Sequence, residues 1–115
     1  MGEKIRIINI ELGMPTVPQG QQLLLAALRK AKAEQVTVVK IIHGYGSTGV
    51  GGKLKDAVRK SLANRKREGK LRSFVAGERW SIFDQDARDI LEQCSDLKRD
   101  SDLENGNAGI TIALL

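Results

Sequence analysis

Apolar positions along this chain of 115 residues follow two spacings, one of strands and one of helices. Ile5, Ile7, Ile8 and Ile10 form a β-branched run that predicts a strand over residues 5–10. Thr16 and Gln19 stand at the spacing of a capping box, with Pro18 in the first turn, where its missing N–H costs nothing. Leu24, Ala27, Leu28 and Ala31 then recur at i, i+3, i+4 and i+7, which predicts a helix running to about residue 34. Arg29, Lys30 and Lys32 near its end suit the helix dipole. Residues 36–42 are nearly continuous in β-branched apolar side chains, as in a strand buried on both faces. A helix joins the two strands, so they read as a right-handed βαβ unit with 36–42 central in its sheet. After a Gly-rich loop over 43–52, Leu54, Ala57, Val58, Ser61 and Leu62 mark the inner face of a second helix. That helix runs to about residue 68, with Gly69 as C-cap. Residues 71–75 predict a third strand. Ser81-Ile82-Phe83-Asp84 reads as an N-cap signature, and Ala87, Ile90, Leu91 and Cys94 as one face of a short third helix. Residues 96–107 are polar and turn-rich, and 109–115 close the chain as an apolar strand.

Length and cysteine content narrow the class. The chain suits one domain over 1–115 that folds without staples. A lone cysteine, Cys94, excludes an internal disulfide framework and fits a reducing compartment. Residues 1–6 have no apolar signal region, and no apolar run approaches the ~18–20 residues that span a bilayer. The expectation is a cytoplasmic protein with no membrane partner. Net charge is +5, but its distribution is uneven. Residues 1–52 carry a net +3, residues 53–72 a net +7, and residues 73–115 a net −5. Such a block makes a directional field.

Strand, glycine-rich loop and helix in that order form a natural phosphate site, because unpaired N–H groups and the positive dipole end face the loop. Gly44, Gly46 and Gly49 match the dinucleotide fingerprint in spacing, but too few βα repeats follow for that fold. A P-loop fails at both ends, with Ser47 at its first glycine and Leu54 where a hydroxyl must bind Mg²⁺. His43, the only histidine, ends the buried strand. It reads either as a cap that hydrogen-bonds the loop or as a phosphate contact and general acid–base group. One histidine supplies no metal-binding cluster, and nothing in the sequence calls for a cofactor.

Ile41-Ile42-His43-Gly44-Tyr45-Gly46, then Gly49, then Leu54-Lys55-Asp56-Ala57-Val58, resembles the Smr (small MutS-related) domain family. That family has an apolar strand ending in His-Gly-x-Gly, a further Gly and then Leu-Arg-x-x-Val. The resemblance implies an α/β two-layer sandwich of order βαβαβ–β, similar to the C-terminal domain of translation initiation factor 3. Residues 78–107 then stand as a helical, acidic insertion before the last strand. It also implies nucleic-acid binding, with nicking endonuclease activity in some members. The family's first strand ends Leu-Asp-Leu-His-Gly, where this chain has Ile8-Asn9-Ile10-Glu11-Leu12, so Asn9 replaces the Asp and Glu11 the His. Asn9 and Glu11 share one face of the strand. Glu11 beside His43 would orient the ring and raise its pKa; alone it is a solvated acid at a strand end.

Lys53, Lys55, Arg59, Lys60, Arg65, Lys66, Arg67, Lys70 and Arg72 flank or cover the exposed side of the second helix, against Asp56 and Glu68. A one-sign stripe leading from a phosphate-type loop suits a nucleic-acid backbone, DNA or RNA, without sequence readout. The expected contacts are His43, Gly44, Tyr45, Gly46, Ser47, Thr48, Gly49, Lys53, Lys55, Arg59, Lys60, Arg65 and Lys66. Tyr45 reads equally as a base-stacking residue or a loop anchor. Phe74, Trp80 and Phe83 read as an extra core patch beneath the third helix rather than a stacking platform. The structural rival to binding is that the acidic stretch 84–104 folds on the basic helix, in cis or from a second copy as a homo-oligomer, and so competes with nucleic acid. Two other functions compete: a weak nicking endonuclease using His43 and Glu11, and a module whose basic helix binds an acidic protein surface.

Overall fold

The computed structural model describes residues 4–45 and 51–115. The strands are β1 (Ile5–Asn9), β2 (Val38–Ile42), β3 (Ser73–Ala76) and β4 (Ile110–Leu114), and the helices α1 (Val17–Ala33), α2 (Gly51–Arg67) and α3 (Gln85–Gln93). They form one mixed sheet of order β1-β2-β4-β3, with β1 and β2 parallel and β4 antiparallel to both its neighbours. The expected central strand is therefore central, and its antiparallel partner is the chain's last segment.

Local chemistry sets the helix ends. The Thr16 hydroxyl accepts from the Gln19 amide at 3.3 Å, and the Gln19 side chain accepts from the Thr16 amide at 2.9 Å, closing the capping box. At the end of α2, Gly69 takes φ +76° while Lys70 N donates to Arg65 O, as a glycine cap requires. The third helix begins later than its sequence signature suggests. Its N-cap is Asp84, whose carboxylate accepts from Ala87 N. Ser81 instead bonds Glu104, so the serine belongs to the preceding turn.

Period-two alternation divides the sheet's side chains between two cores. On one face Ile10, Val39, Ile41 and Ala113 pack with Leu24, Leu28 and Ala31 of α1 and Leu54, Val58 and Leu62 of α2. On the reverse face Val38, Val75, Ile110, Ile112 and Leu114 pack with Trp80, Ala87, Ile90, Leu91, Cys94 and Leu97. Fully burying each of the larger side chains contributes roughly 1.5–3 kcal/mol. The acidic segment thus covers the reverse face and does not fold back on α2. Its apolar stripe needs a sheet face, and α1 and α2 already occupy the other. At the crossing from β3 to this segment, a Cβ on Gly77 would lie 1.8 Å from the Asn107 carbonyl oxygen, so only glycine fits.

The three clustered aromatics separate accordingly. Trp80 is a reverse-face core residue, Phe74 packs against the helical-face core, and Phe83 is 85% exposed. They do not form one patch. A lysine inside the apolar strand finds its partners on the reverse face. Lys40 Nζ donates to Asp100 Oδ1 at 2.7 Å and pairs with Asp102, while Asp100 Oδ2 accepts from Trp80 Nε1 at 3.0 Å. Burial works against the charge on Lys40, but the two aspartates outweigh it and hold the ammonium's pKa above its ordinary value. No helix among the described residues is long and apolar enough to cross a membrane.

Candidate functional site

The carboxyl ends of the parallel strands β1 and β2 meet the first residues of β4 at one end of the sheet. Ile10 N donates to Ile42 O, and the amides of His43 and Gly44 both donate to Gly109 O, at 3.0 and 3.1 Å. This pins the start of the glycine loop to the start of the last strand. Gly44 adopts φ +84°, and a Cβ there would lie 2.8 Å from the Glu11 carboxyl carbon. The glycine after His43 is thus required twice, by backbone conformation and by close approach.

The His43 ring is fully buried on the helical face. Its Nδ1 lies 3.0 Å from Gly44 O, and its Nε2 lies 2.9 Å from Thr111 Oγ1. A carbonyl only accepts, so Nδ1 carries the proton and donates, and the tautomer follows from that partner. Nε2 then accepts from the Thr111 hydroxyl, which in turn accepts from Arg59 Nε at 3.2 Å. The chain Arg59 to Thr111 to His43 to Gly44 is matched donor to acceptor when His43 is neutral. Burial pushes its pKa below the ordinary imidazole range, and the charges of Arg59 and Lys55 push the same way.

Arg59 is itself clamped. Its guanidinium donates twice to Glu78, at 3.0 and 2.6 Å, and reaches the carbonyls of Ala108 and Ile110. The Arg59 hydrogen bond holds the Glu78 carboxyl below its ordinary pKa. Arg59 therefore joins α2, β4 and the turn after β3, and is not a free cation on a solvated face. Helix spacing suggests a solvated cation, but this long side chain at the helix edge reaches inward to two carbonyls and an acid.

Glu11 comes to Gly44 rather than to His43, whose two ring nitrogens are engaged elsewhere. It is exposed, and its carboxylate lies against the Gly44 backbone. Of the two readings of Glu11, the solvated acid at a strand end fits its exposure; no Glu11–His43 hydrogen bond forms, and burial lowers the His43 pKa where such a pair would raise it. Asn9 Oδ1 accepts from the amides of Glu11 and Leu12, so it shapes the turn after β1 by an amide carbonyl oxygen.

Of the basic residues on α2, Lys53, Lys60 and Lys66 are exposed, while Lys55 and Arg65 are half-buried. Tyr45 is 63% exposed, and its ring edge covers Gly109, where a Cβ would lie 3.3 Å from Cε2 and Cζ. Gly46, Ser47, Thr48 and Gly49 lie outside the described residues. No group of three or more His, Cys, Asp or Glu side chains able to hold a metal occurs among the described residues.

Thr111 and Glu78 complete the cluster, and spacing arguments pass over both. Thr111 does leave a trace: it is a hydroxyl at an inward position of the otherwise apolar run Ile110-Thr111-Ile112-Ala113-Leu114, and a buried hydroxyl needs a partner. Glu78 leaves none, because its partner lies across a turn of unpredictable path.

Comparison with known proteins bears on the fold and the family. The Smr domain of Thermus thermophilus MutS2 matches in fold, with a TM-score of 0.56 at 21% identity over 97% of this chain and 96% of that one. No curated protein matches the chain. The family profile of the Smr domain matches residues 10–81, from the end of β1 through the glycine loop, α2 and β3, and so the chain belongs to the Smr domain family.

Proposed function

We propose that this Smr domain binds the sugar–phosphate backbone of DNA or RNA, without sequence readout, at the start of α2 and along its basic face. One observation carries the reading. Lys53, Lys60 and Lys66 are exposed on α2, while Asp84, Asp86, Asp100 and Asp102 of the segment 84–104 pair with Arg79 and Lys40, and the segment packs on the other side of the sheet. The stripe thus keeps its charge for a polyanion. Lys55 and Arg65 lie along its edge, Gly44 shapes the loop start with its own amide held by Gly109 O, and Gly46, Ser47, Thr48 and Gly49 would offer backbone N–H groups. His43 holds the loop start and is buried away from phosphate. The reading takes residues 1–115 as one domain with 78–107 as an insertion covering the reverse face, working in the cytoplasm.

The same geometry favours binding over cleavage. A general base needs a free lone pair, and the one on His43 Nε2 faces the Thr111 hydroxyl. Asn9 cannot take a proton, and Glu11 is left as the exposed acid over Gly44. Residual nicking by Glu11 would be slow.

The test is a salt titration of binding to generic DNA and RNA. Affinity should fall as a power of salt concentration. Replacing Lys53, Lys60 and Lys66 by Ala should lower the slope by about 0.7–0.9 for each phosphate no longer neutralised. Absence of any salt-dependent binding overturns the reading. Salt-sensitive self-association in place of binding would assign the stripe to the acidic face of a second copy.

A further inference from the structure

In the turn after β1 and at the start of the glycine loop the molecule presents large apolar side chains to water. Leu12 and Met14 are 73% and 83% exposed, and Tyr45, the only tyrosine, is 63% exposed. They flank one junction: Leu12 follows Glu11, whose carboxylate lies on Gly44, and Gly44 precedes Tyr45. The turn that carries the first two is fixed. Asn9 Oδ1 accepts from the Glu11 and Leu12 amides, Met14 N donates to Glu11 O, and Gly13 and Met14 both have positive φ, +80° and +49°. A methionine held in the left-handed region and pointed at solvent is an uncommon arrangement. The Tyr45 ring is supported from beneath by Gly109, where a side chain would intrude.

We infer that Tyr45, Leu12 and Met14 form a platform for unpaired bases, so that the preferred ligand of this domain is single-stranded nucleic acid. The inference rests on the backbone-binding reading above and adds the part of the ligand that reading leaves open. A continuous duplex keeps its bases stacked inside and gives an apolar rim nothing to cover. A single strand offers the π-face of each base, which stacks on an aromatic ring and packs on neighbouring aliphatic groups whatever its identity. The lysines of α2 then track the phosphates that the same strand carries.

The test compares an unstructured oligo(dT) and oligo(rU) with a blunt duplex of matched length, under one salt condition. The wild-type protein should bind the single strands more tightly. Tyr45→Leu, which keeps an apolar cover on Gly109 but removes the ring, should weaken single-strand binding about ten- to hundredfold and leave duplex binding almost unchanged. Tyr45→Trp should retain the preference. The double variant L12S/M14S, at two exposed positions, should weaken single-strand binding severalfold. The salt slope should stay constant across these variants, because stacking releases no counterions. Equal loss on both ligands, or no loss, overturns the platform while leaving the backbone reading standing. No salt-dependent binding to any of the ligands overturns that reading instead.

Discussion

The two faces of the sheet each bury a polar cluster, and the clusters are built on opposite electrostatic plans. On the reverse face Lys40 is buried as an ion, with two aspartates and the Trp80 indole around it. On the helical face His43 is buried as a neutral ring, and the charge sits at the outer end of its chain, in the Arg59–Glu78 pair. The first arrangement closes on itself and ties the chain segment 80–102 to the centre of β2. The second runs from the rim of the sheet to the backbone of the glycine loop. A sealed ion cluster locks packing, whereas a neutral relay holds a loop without placing a charge beneath it. The proposed ligand is an anion arriving above that loop, so its field meets the lysines of α2 and no buried counter-charge.

The comparison breaks most visibly at Lys40. Lys40→Met leaves Asp100 and Asp102 facing each other in a partly buried site, and should cost about 3–5 kcal/mol of unfolding free energy in urea. Nucleic-acid affinity of the folded fraction should stay as in the wild type, because the site lies on the other face. Affinity that falls in proportion to stability would show that the faces are coupled. The cluster also sets a pH limit. The Asp102 pKa is held below its ordinary value first by Lys40, so its contribution is full above the unfolded carboxylate range and disappears as acid carries pH through the lowered value. The raised Lys40 pKa contributes fully below the unfolded lysine value and is lost as alkali carries pH through the raised one.

Thr111→Val makes the matching cut on the helical face, with little change of volume. Both His43 Nε2 and Arg59 Nε lose a partner, and the expected loss is about 1–3 kcal/mol, smaller than at Lys40 because no ion is stranded. A loss as large as that of Lys40→Met would mean that His43 is charged in the folded protein.

These two residues also show which parts of the fold the sequence makes legible. Period and capping chemistry are local, so the capping box at Thr16, the apolar faces of α1 and α2 and the central place of β2 can be read from neighbours in the chain. Lys40 and Thr111 are legible as problems: each is a polar group within an apolar strand and demands a partner. Their partners, Asp100 and His43, lie 60 and 68 residues away along the chain. Nothing local specifies such pairs. The same holds for the acidic segment, whose charge suggested the basic helix while its apolar stripe took it to the reverse face. Of the candidate site, His43 and Gly44 are legible as a motif, but whether the histidine faces solvent or core depends on Thr111 and Arg59.

A smaller effect separates the clusters by acid. His43 has a pKa below its unfolded value, so the unfolded chain binds the extra proton first. Stability should therefore fall as pH drops from neutral through about 6.5 toward the lowered value, by no more than about 1.4 kcal/mol per pH unit. Urea midpoints across this window should show that slope in the wild type and in Lys40→Met, and its absence in His43→Gln. A wild-type protein that gains stability over the same interval would contradict the neutral ring.

The smallest expected change concerns the outer end of the relay and decides what Arg59 does. Glu78 is close to half exposed, and Arg59 is mostly covered, so their pair contributes about 1 kcal/mol or less to stability. Its electrostatic consequence is more informative. A carboxylate at the edge of the proposed phosphate-binding stripe would repel the ligand, by about 1 kcal/mol at short range in water. Glu78→Gln keeps an acceptor for one guanidinium N–H and removes the charge. If Arg59 serves only to hold Thr111 and the β4 carbonyls, the variant should bind oligonucleotides about two- to fivefold more tightly at low salt, and the gain should fade as salt screens it. If the affinity falls instead, Glu78 is aiming Arg59 at a phosphate, and Arg59 belongs to the binding surface as well as to the relay. Arg59→Lys distinguishes the cases independently. An ammonium keeps the charge but cannot make the paired bonds to Glu78. Stability should fall in either case; a positioning role alone predicts retained affinity and salt slope of the folded protein, and direct phosphate binding through the guanidinium fork predicts weaker affinity as well.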